Sequence, residues 1–218
     1  MRTENSSEVI TKKKQQIIDA TKVLFRDKDF DEITMSAIAS ATHVAKGTIF
    51  NYFKTKESIF LTILMEEYQR FIDLFAQKLE HETIKNKSTL KKLILETTAS
   101  IWDDPNLYLF RLDASLAMLE QTSDVELVAK VKSHMYETTQ KLDAYIHNYV
   151  ENAENISIVS IMFTVNALLI GYSNLVSSQK MQNLLQKYEL NDYQLNAKAE
   201  TLASLDFFLN GYLKTSSK

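Results

Sequence analysis

The sequence predicts an all-α protein, and three observations carry that reading. Only three glycines and one proline occur in 218 residues, too few for the turns of a β protein. Apolar residues recur at steps of three and four along most of the chain, which places them on single helical faces. Charged residues make up 24% and hydrophobic ones 45%, a balance that suits packed helices with solvated outer faces. The length allows one large domain or two small ones. The charge is uneven: residues 1–56 carry a net +3 and the remainder −6. A head that faces nucleic acid and a body that avoids it would divide charge in this way.

Residues 1–11 are polar and without periodicity, so a flexible arm is expected there. A first helix is predicted over about Lys12 to Lys28, with Ile17, Ala20, Thr21, Leu24 and Phe25 on one face. Asp29 stands where a left-handed residue often closes a helix. Thr34 can cap a second, short helix through Ala41, its hydroxyl accepting a backbone N–H. After a turn at Thr42 to Val44, a third short helix covers about Lys46 to Tyr52. A long fourth begins near Thr55, and Ile59, Phe60, Ile63, Leu64, Phe71 and Phe75 keep one side apolar.

Further helices are expected at about 88–101, 105–120, 124–152, 156–179 and 196–213. Asp103 and Asp104 before Pro105 favour the second of these starts. The 124–152 helix would bury Val128, Val131, Met135, Thr138, Leu142, Tyr145 and Tyr149. No charged residue lies between Asn155 and Gln179, a length that could span a bilayer. Its small and polar residues form a stripe, Ser157, Ser160, Thr164, Ala167, Gly171, Asn174 and Ser178, which fits close approach by another helix instead. With Leu202, Leu205, Leu209 and Tyr212 on the last helix, that stripe suggests a four-helix bundle across the two-fold axis of a homodimer, and no membrane span.

Two short helices joined by a tight turn and braced by a preceding helix describe a helix-turn-helix, whose second short helix lies in the major groove of double-stranded DNA. Gly47 lets the backbone come near a phosphate or base, and Thr48 offers a hydroxyl and a methyl. Asn51 can bond an adenine edge or a phosphate, and Phe50 offers an apolar surface to a thymine methyl. Lys46 opens that helix, and Tyr52 and Lys56 reach toward phosphates, as do Thr34 and Ser36 from the start of the preceding helix.

The runs Ile17-Ile-Asp-Ala-Thr-Lys-Val-Leu-Phe25, Thr34-Met-Ser-Ala-Ile-Ala39 and Val44-Ala-Lys-Gly-Thr-Ile-Phe-Asn-Tyr-Phe-Lys-Thr-Lys-Glu57 resemble the amino-terminal domain of TetR-family transcriptional regulators. The resemblance implies a DNA-binding domain over residues 12–54 and a regulatory, ligand-binding and dimerisation domain over 55–218. It makes Lys46, Thr48, Phe50, Asn51 and Tyr52 recognition-helix contacts and Lys56 a backbone contact. Three positions depart from the family pattern: His43 replaces the usual turn glycine, Ala45 the usual capping Ser, and Asp29 the usual glycine before Phe30. Losing the Ser cap costs about 1 kcal/mol and leaves the motif standing.

A small-molecule inducer is implied, but no signature identifies it. Trp102, Tyr108, Met118, Met135, Tyr145, Met162 and Phe163 are candidates to line an apolar cavity, with Arg111 toward an anionic head and Asn166 for a directed hydrogen bond. His147 and Glu151 share a face, yet four histidines without a thiol argue against a metal sensor, so no metal or cofactor is expected. No catalytic constellation is evident, and the chain is not expected to be an enzyme. Absent cysteine and an absent export leader suggest a cytoplasmic protein. The function expected is a repressor released from a pseudo-palindromic operator by a ligand. The alternatives are a helical small-molecule binder or enzyme with a vestigial head, and an inducer-independent DNA-binding regulator.

Overall fold

The computed structural model describes residues 2–81, 84–175, 179–190 and 195–215. They form α-helices and two 3₁₀ segments in two compact units. The first unit holds residues up to Tyr68 together with Tyr108–Ser133, and the second holds Gln69–Leu107 and the chain from His134 onward. The unit around the helix-turn-helix is therefore wider than the span 12–54 expected for the DNA-binding part.

In the first unit, α1 (Arg2–Asp27) is followed by a 3₁₀ turn (Phe30–Glu32), α2 (Met35–Thr42), α3 (Lys46–Phe50) and the start of α4 (Lys56–His81). Helix α1 begins ten residues before the expected Lys12, because nothing between Arg2 and Lys12 breaks a helix. Its packed part starts at Ile17, and Val9 and Ile10 are exposed. Thr34 caps α2 as predicted, its Oγ1 accepting the Ala37 N–H at 3.1 Å. Thr55 does the same for α4 by accepting from Ser58. The left-handed residue is His43 (φ 54°, ψ 34°), not Asp29, whose backbone is extended and which opens the 3₁₀ turn. Histidine is among the side chains that tolerate that conformation, so the turn survives without glycine.

The core of this unit is aromatic and aliphatic: Phe60 packs edge-on against Phe25 and Phe30, amid buried Ile17, Ile38, Ile49 and Ile63. Lys22 bridges α1 to α4 through Glu66 and Glu67, each at 3.2 Å. Burial opposes its charge, but the two carboxylates outweigh that and hold its pKa above the ordinary 10.5.

The helix expected at 105–120 is two elements, a 3₁₀ segment (Leu107–Ser115) and α6 (Leu116–Thr122). Local propensity does not reveal this, because the segment is shaped by what its side chains hold. The Arg111 guanidinium donates to Phe25 O at 3.0 Å, one of the unpaired carbonyls at the end of α1, and the Tyr108 hydroxyl donates to Lys22 O at 2.9 Å one turn earlier. Tyr68 donates to Asp113.

The second unit contains the rest of α4, α5 (Lys87–Trp102), the rest of α7 (Val125–Tyr149), α8 (Ile158–Leu175), α9 (Gln179–Lys187) and α10 (Ala197–Thr215). Helix α9 was not anticipated, and Ser178 with the end of the expected 156–179 helix lies outside the described residues. Along α7 the buried positions in this unit are Thr139, Leu142 and Ile146, continued by Val150 just beyond it. The stripe is thus turned from the one predicted, and Tyr149 is exposed. Helices α5 and α10 run antiparallel, tied by Lys198–Asp103 at 2.7 Å and Lys91–Asp206 at 2.6 Å. Helix α8 packs on α10. Its inner face is Ile158, Ile161, Val165 and Leu169, and Asp143 caps its start by accepting the Ile158 N–H at 2.6 Å.

Candidate nucleic-acid interface

Helix α3 buries one residue, Ile49, and turns the rest outward. Lys46, Gly47, Phe50 and Asn51 are exposed, Thr48 and Tyr52 half-buried, and Phe53 is core, as its packing role required. The Lys46 ammonium lies 5.9 Å from the Phe50 ring, so charge and apolar surface sit side by side. A Cβ built on Gly47 would meet no atom within 4 Å. The fold itself does not demand glycine there, and glycine inside a helix costs about 1 kcal/mol. A surface that approaches from outside gives the missing side chain a use.

Thr34 and Ser36 are exposed at the start of α2. The Thr34 oxygen is engaged as a cap, which leaves its hydroxyl hydrogen available to a phosphate oxygen. Ala45 offers no side-chain cap to α3, as its identity dictates.

Lys56, expected to contact a phosphate, is also held by its own chain. Its ammonium donates to Phe30 O at 2.8 Å and Ile33 O at 3.0 Å and lies 4.1 Å from the Phe30 ring centroid. It is a strut that ties the first turn of α4 to the entry of α2. Nearby, exposed Lys54 pairs with Asp124 at 2.6 Å, and the hydrogen bond from that ammonium is the main cause of a carboxyl pKa below the usual range.

In the second unit Phe71, Ile72 and Phe75 of α4 line a small apolar hollow with Ile94 and Thr98 of α5, Leu142 of α7, and Ile158, Ile161, Met162 and Val165 of α8. As it stands it has room for about one water molecule. Among the described residues no group of three or more His, Cys, Asp or Glu could hold a metal. His147 instead meets the Ile156 carbonyl at 2.7 Å.

Residues 17–63 match the model of the TetR family of bacterial regulatory proteins, and residues 65–216 match that of the tetracyclin repressor-like C-terminal domain. The chain belongs to the TetR family. It is a DNA-binding transcriptional regulator.

This TetR-family regulator is 28% identical over 146 residues to the fatty acid metabolism regulator protein of Bacillus subtilis, covering 65% of this chain and 70% of that one. The fold is shared with the transcriptional regulator FadR from Bacillus subtilis in complex with stearoyl-CoA, at TM-score 0.52 and 20% identity over 89% of this chain and 96% of that one. It is shared also with GusR of Salmonella enterica, at TM-score 0.55 and 18% identity over 92% and 95% of the two chains.

Of the predicted ligand residues, Met162 is the one that lines the hollow. Tyr108 and Arg111 are committed to α1 carbonyls in the first unit, where exposed Met118 also lies. The Tyr145 hydroxyl donates to Leu79 O at 2.9 Å. Trp102 and Asn166 are half-buried away from the lining, as is Met135. Phe163 is 72% exposed on the outer side of α8. The aromatic and Met positions suit a ligand by their chemistry, whereas the lining is set by which face of α4 and α8 turns inward.

The predicted dimer residues divide. Ser160, Ala167, Gly171 and Asn174 are exposed on α8, with Thr164 half-buried beside them. Leu205 and Leu209 are fully buried within the chain and offer nothing to a second copy. Leu202 is half-buried, and the Tyr212 hydroxyl accepts the Ser157 N–H at 3.0 Å. The outward face of α10 is Ala203, Phe207 and Gly211, with Phe207 84% exposed. These three residues at four-residue steps, small, aromatic, small, lie one face over from the leucine stripe. Helix α8 has the length and mean hydropathy (1.6) of a membrane span, yet its inner face is packed in this unit.

Proposed function

We propose that this regulator is a homodimeric repressor that grips a pseudo-palindromic operator with two α3 helices and lets go when an apolar ligand opens the second-unit hollow. The exposed α3 face carries the reading, because Lys46, Gly47, Phe50 and Asn51 serve no packing need of their own chain. The DNA contacts are Thr34, Ser36, Lys46, Gly47, Thr48, Phe50, Asn51 and Tyr52 within residues 12–54, with the third ammonium hydrogen of Lys56 reaching a phosphate. The regulatory part is 55–218.

Dimerisation is supported by the outer faces of α8 and α10, where Phe163 and Phe207 stand among Ala167, Gly171, Ala203 and Gly211. A Cβ on either glycine would meet nothing within 4 Å, so the small residues suit a partner helix that comes close. The apolar lining and the stearoyl-CoA of the Bacillus subtilis structure favour a ligand with a long hydrocarbon chain, such as a fatty acyl thioester. Because the hollow is small, such a chain must part α4 from α8 to enter. Lys56 joins the first turn of α4 to the carbonyls before α2, so a displaced α4 draws the head with it. A coupling of about 3 kcal/mol reduces operator affinity roughly 150-fold. The protein acts in the cytoplasm, beside its DNA, and performs no catalysis.

Anisotropy titrations on a duplex selected from a random library with the parent protein test this reading. K46A and Y52F should weaken binding to that duplex, and long-chain acyl-CoA should release it. A parent that binds no duplex at low salt defeats the proposal, and indifference to acyl chains of every length leaves an inducer-independent regulator.

A further inference from the structure

Lys12, Lys13 and Lys14 lie on α1 ahead of its first buried residue, Ile17. Between Glu8 and Asp19 the chain has no acid, and none of the three lysines is in an ion pair among the described residues. Two contacts fix this stretch beside the recognition helix. The Gln16 amide donates to Thr42 O at 3.2 Å, immediately before the turn that leads into α3. The Lys14 ammonium lies 5.2 Å from the ring centroid of Phe53, the residue after Tyr52. Lys12 is exposed, and Lys13 reaches only the side chain of Gln16, at 3.2 Å.

We infer that Lys12 and Lys13 form a second DNA contact, which takes the phosphates flanking the groove that α3 enters and reads no bases; this rests on the DNA-binding function proposed above. Consecutive helical residues point about 100° apart, so the run spreads positive charge over a broad arc at a rise of about 1.5 Å per residue. That geometry follows a row of phosphates, and the Gln15 and Gln16 amides beside it are engaged by Asp19 and by Thr42 O rather than offered to base edges. An acidic protein is a poorer match for the same charge, because a partner seated there would collide with DNA held by α3. The contact sharpens affinity without changing sequence preference, since each lysine that neutralises a phosphate releases a counterion.

The test compares the full-length parent with K12Q/K13Q, a pair that leaves the Lys14 contact in place. The probes are the selected duplex in a long form and a form trimmed to the grooves that α3 occupies. On the long duplex the variant should lose about tenfold or more in affinity at about 0.15 M salt, and its log–log salt slope should flatten by roughly two to four. The preference for selected over scrambled sequence should stay at the parent's ratio, and on the trimmed duplex parent and variant should converge. K12R/K13R should restore the parent's behaviour. Unchanged slope and affinity on the long duplex overturn the inference, as does a loss that arginine fails to rescue. A parent inert toward every duplex instead defeats the proposed function, and shows itself before any variant is made.

Discussion

The α3 face and the outer face of α8 and α10 share one oddity and differ in everything around it. Each carries exposed glycine inside a helix, Gly47 on the first and Gly171 and Gly211 on the second, and in all three cases the space where a Cβ would stand is open. Around Gly47 the neighbours are Lys46, Thr48 and Asn51, which donate or accept hydrogen bonds. Around Gly171 and Gly211 they are Ala167, Phe163, Ala203 and Phe207, most of which can only pack. The shared feature leaves room for a close approach at both faces. The difference separates the proposed occupants: a polyanion with hydrogen-bonding edges at one, and an apolar helix surface at the other.

The second face gives the largest expected effect. F207D places a carboxylate where the chain itself makes little use of the ring, so the folded protomer should melt close to the parent. The dimer should weaken by about 3 kcal/mol, roughly 150-fold, as read by sedimentation equilibrium. Operator binding should fall with it. If F207D still sediments as the parent does, the apolar face has been misread. At the first face, K46A removes a contact on each head and should cost about 10- to 100-fold in affinity for the selected duplex, with the dimer unaffected. A matching loss of dimer would collapse the distinction between the two faces.

The scaffold beneath α3 gives the third test. K22M leaves Glu66 and the buried Glu67 crowded without their shared ammonium and should destabilise the fold by about 1–3 kcal/mol in urea melts. Lys22 holds its proton more tightly folded than unfolded. Its contribution is therefore complete below its ordinary pKa of 10.5 and fades as pH rises through the higher folded value. The parent should show that alkaline decline and K22M should lack it.

The smallest effect separates folding from binding most cleanly. Gly47→Ala and Gly211→Ala should each raise stability by about 0.5–1 kcal/mol, because no atom of the chain resists the new methyl. Gly47→Ala should weaken only DNA binding and Gly211→Ala only the dimer. A destabilised variant would mean that the glycine serves its own fold.

The two faces also differed in how far the sequence disclosed them. The DNA side was legible because its requirements are local: Thr34 caps over three residues, His43 must turn, and Ile49 is the one inward position of a five-residue helix. The hold of Lys56 on the Phe30 and Ile33 carbonyls was not legible, because those partners lie more than twenty residues away and no spacing rule connects them. On the other side Leu205, Leu209 and Phe207 belong to one helix, and apolar periodicity cannot tell which stripe faces the core of its own chain. Tyr108 and Arg111 drew attention for chemistry suited to a ligand. The same donors serve equally well to close the carbonyls of α1, and only the path of the chain decides between these uses.

Hydroxyl-radical footprinting of the parent on its selected duplex tests the central claim most directly. Two protected patches on one side of the helix, centred about 34 Å apart and both lost in K46A, are the predicted result. A single patch that K46A leaves intact would contradict the paired α3 helices from which the account is built.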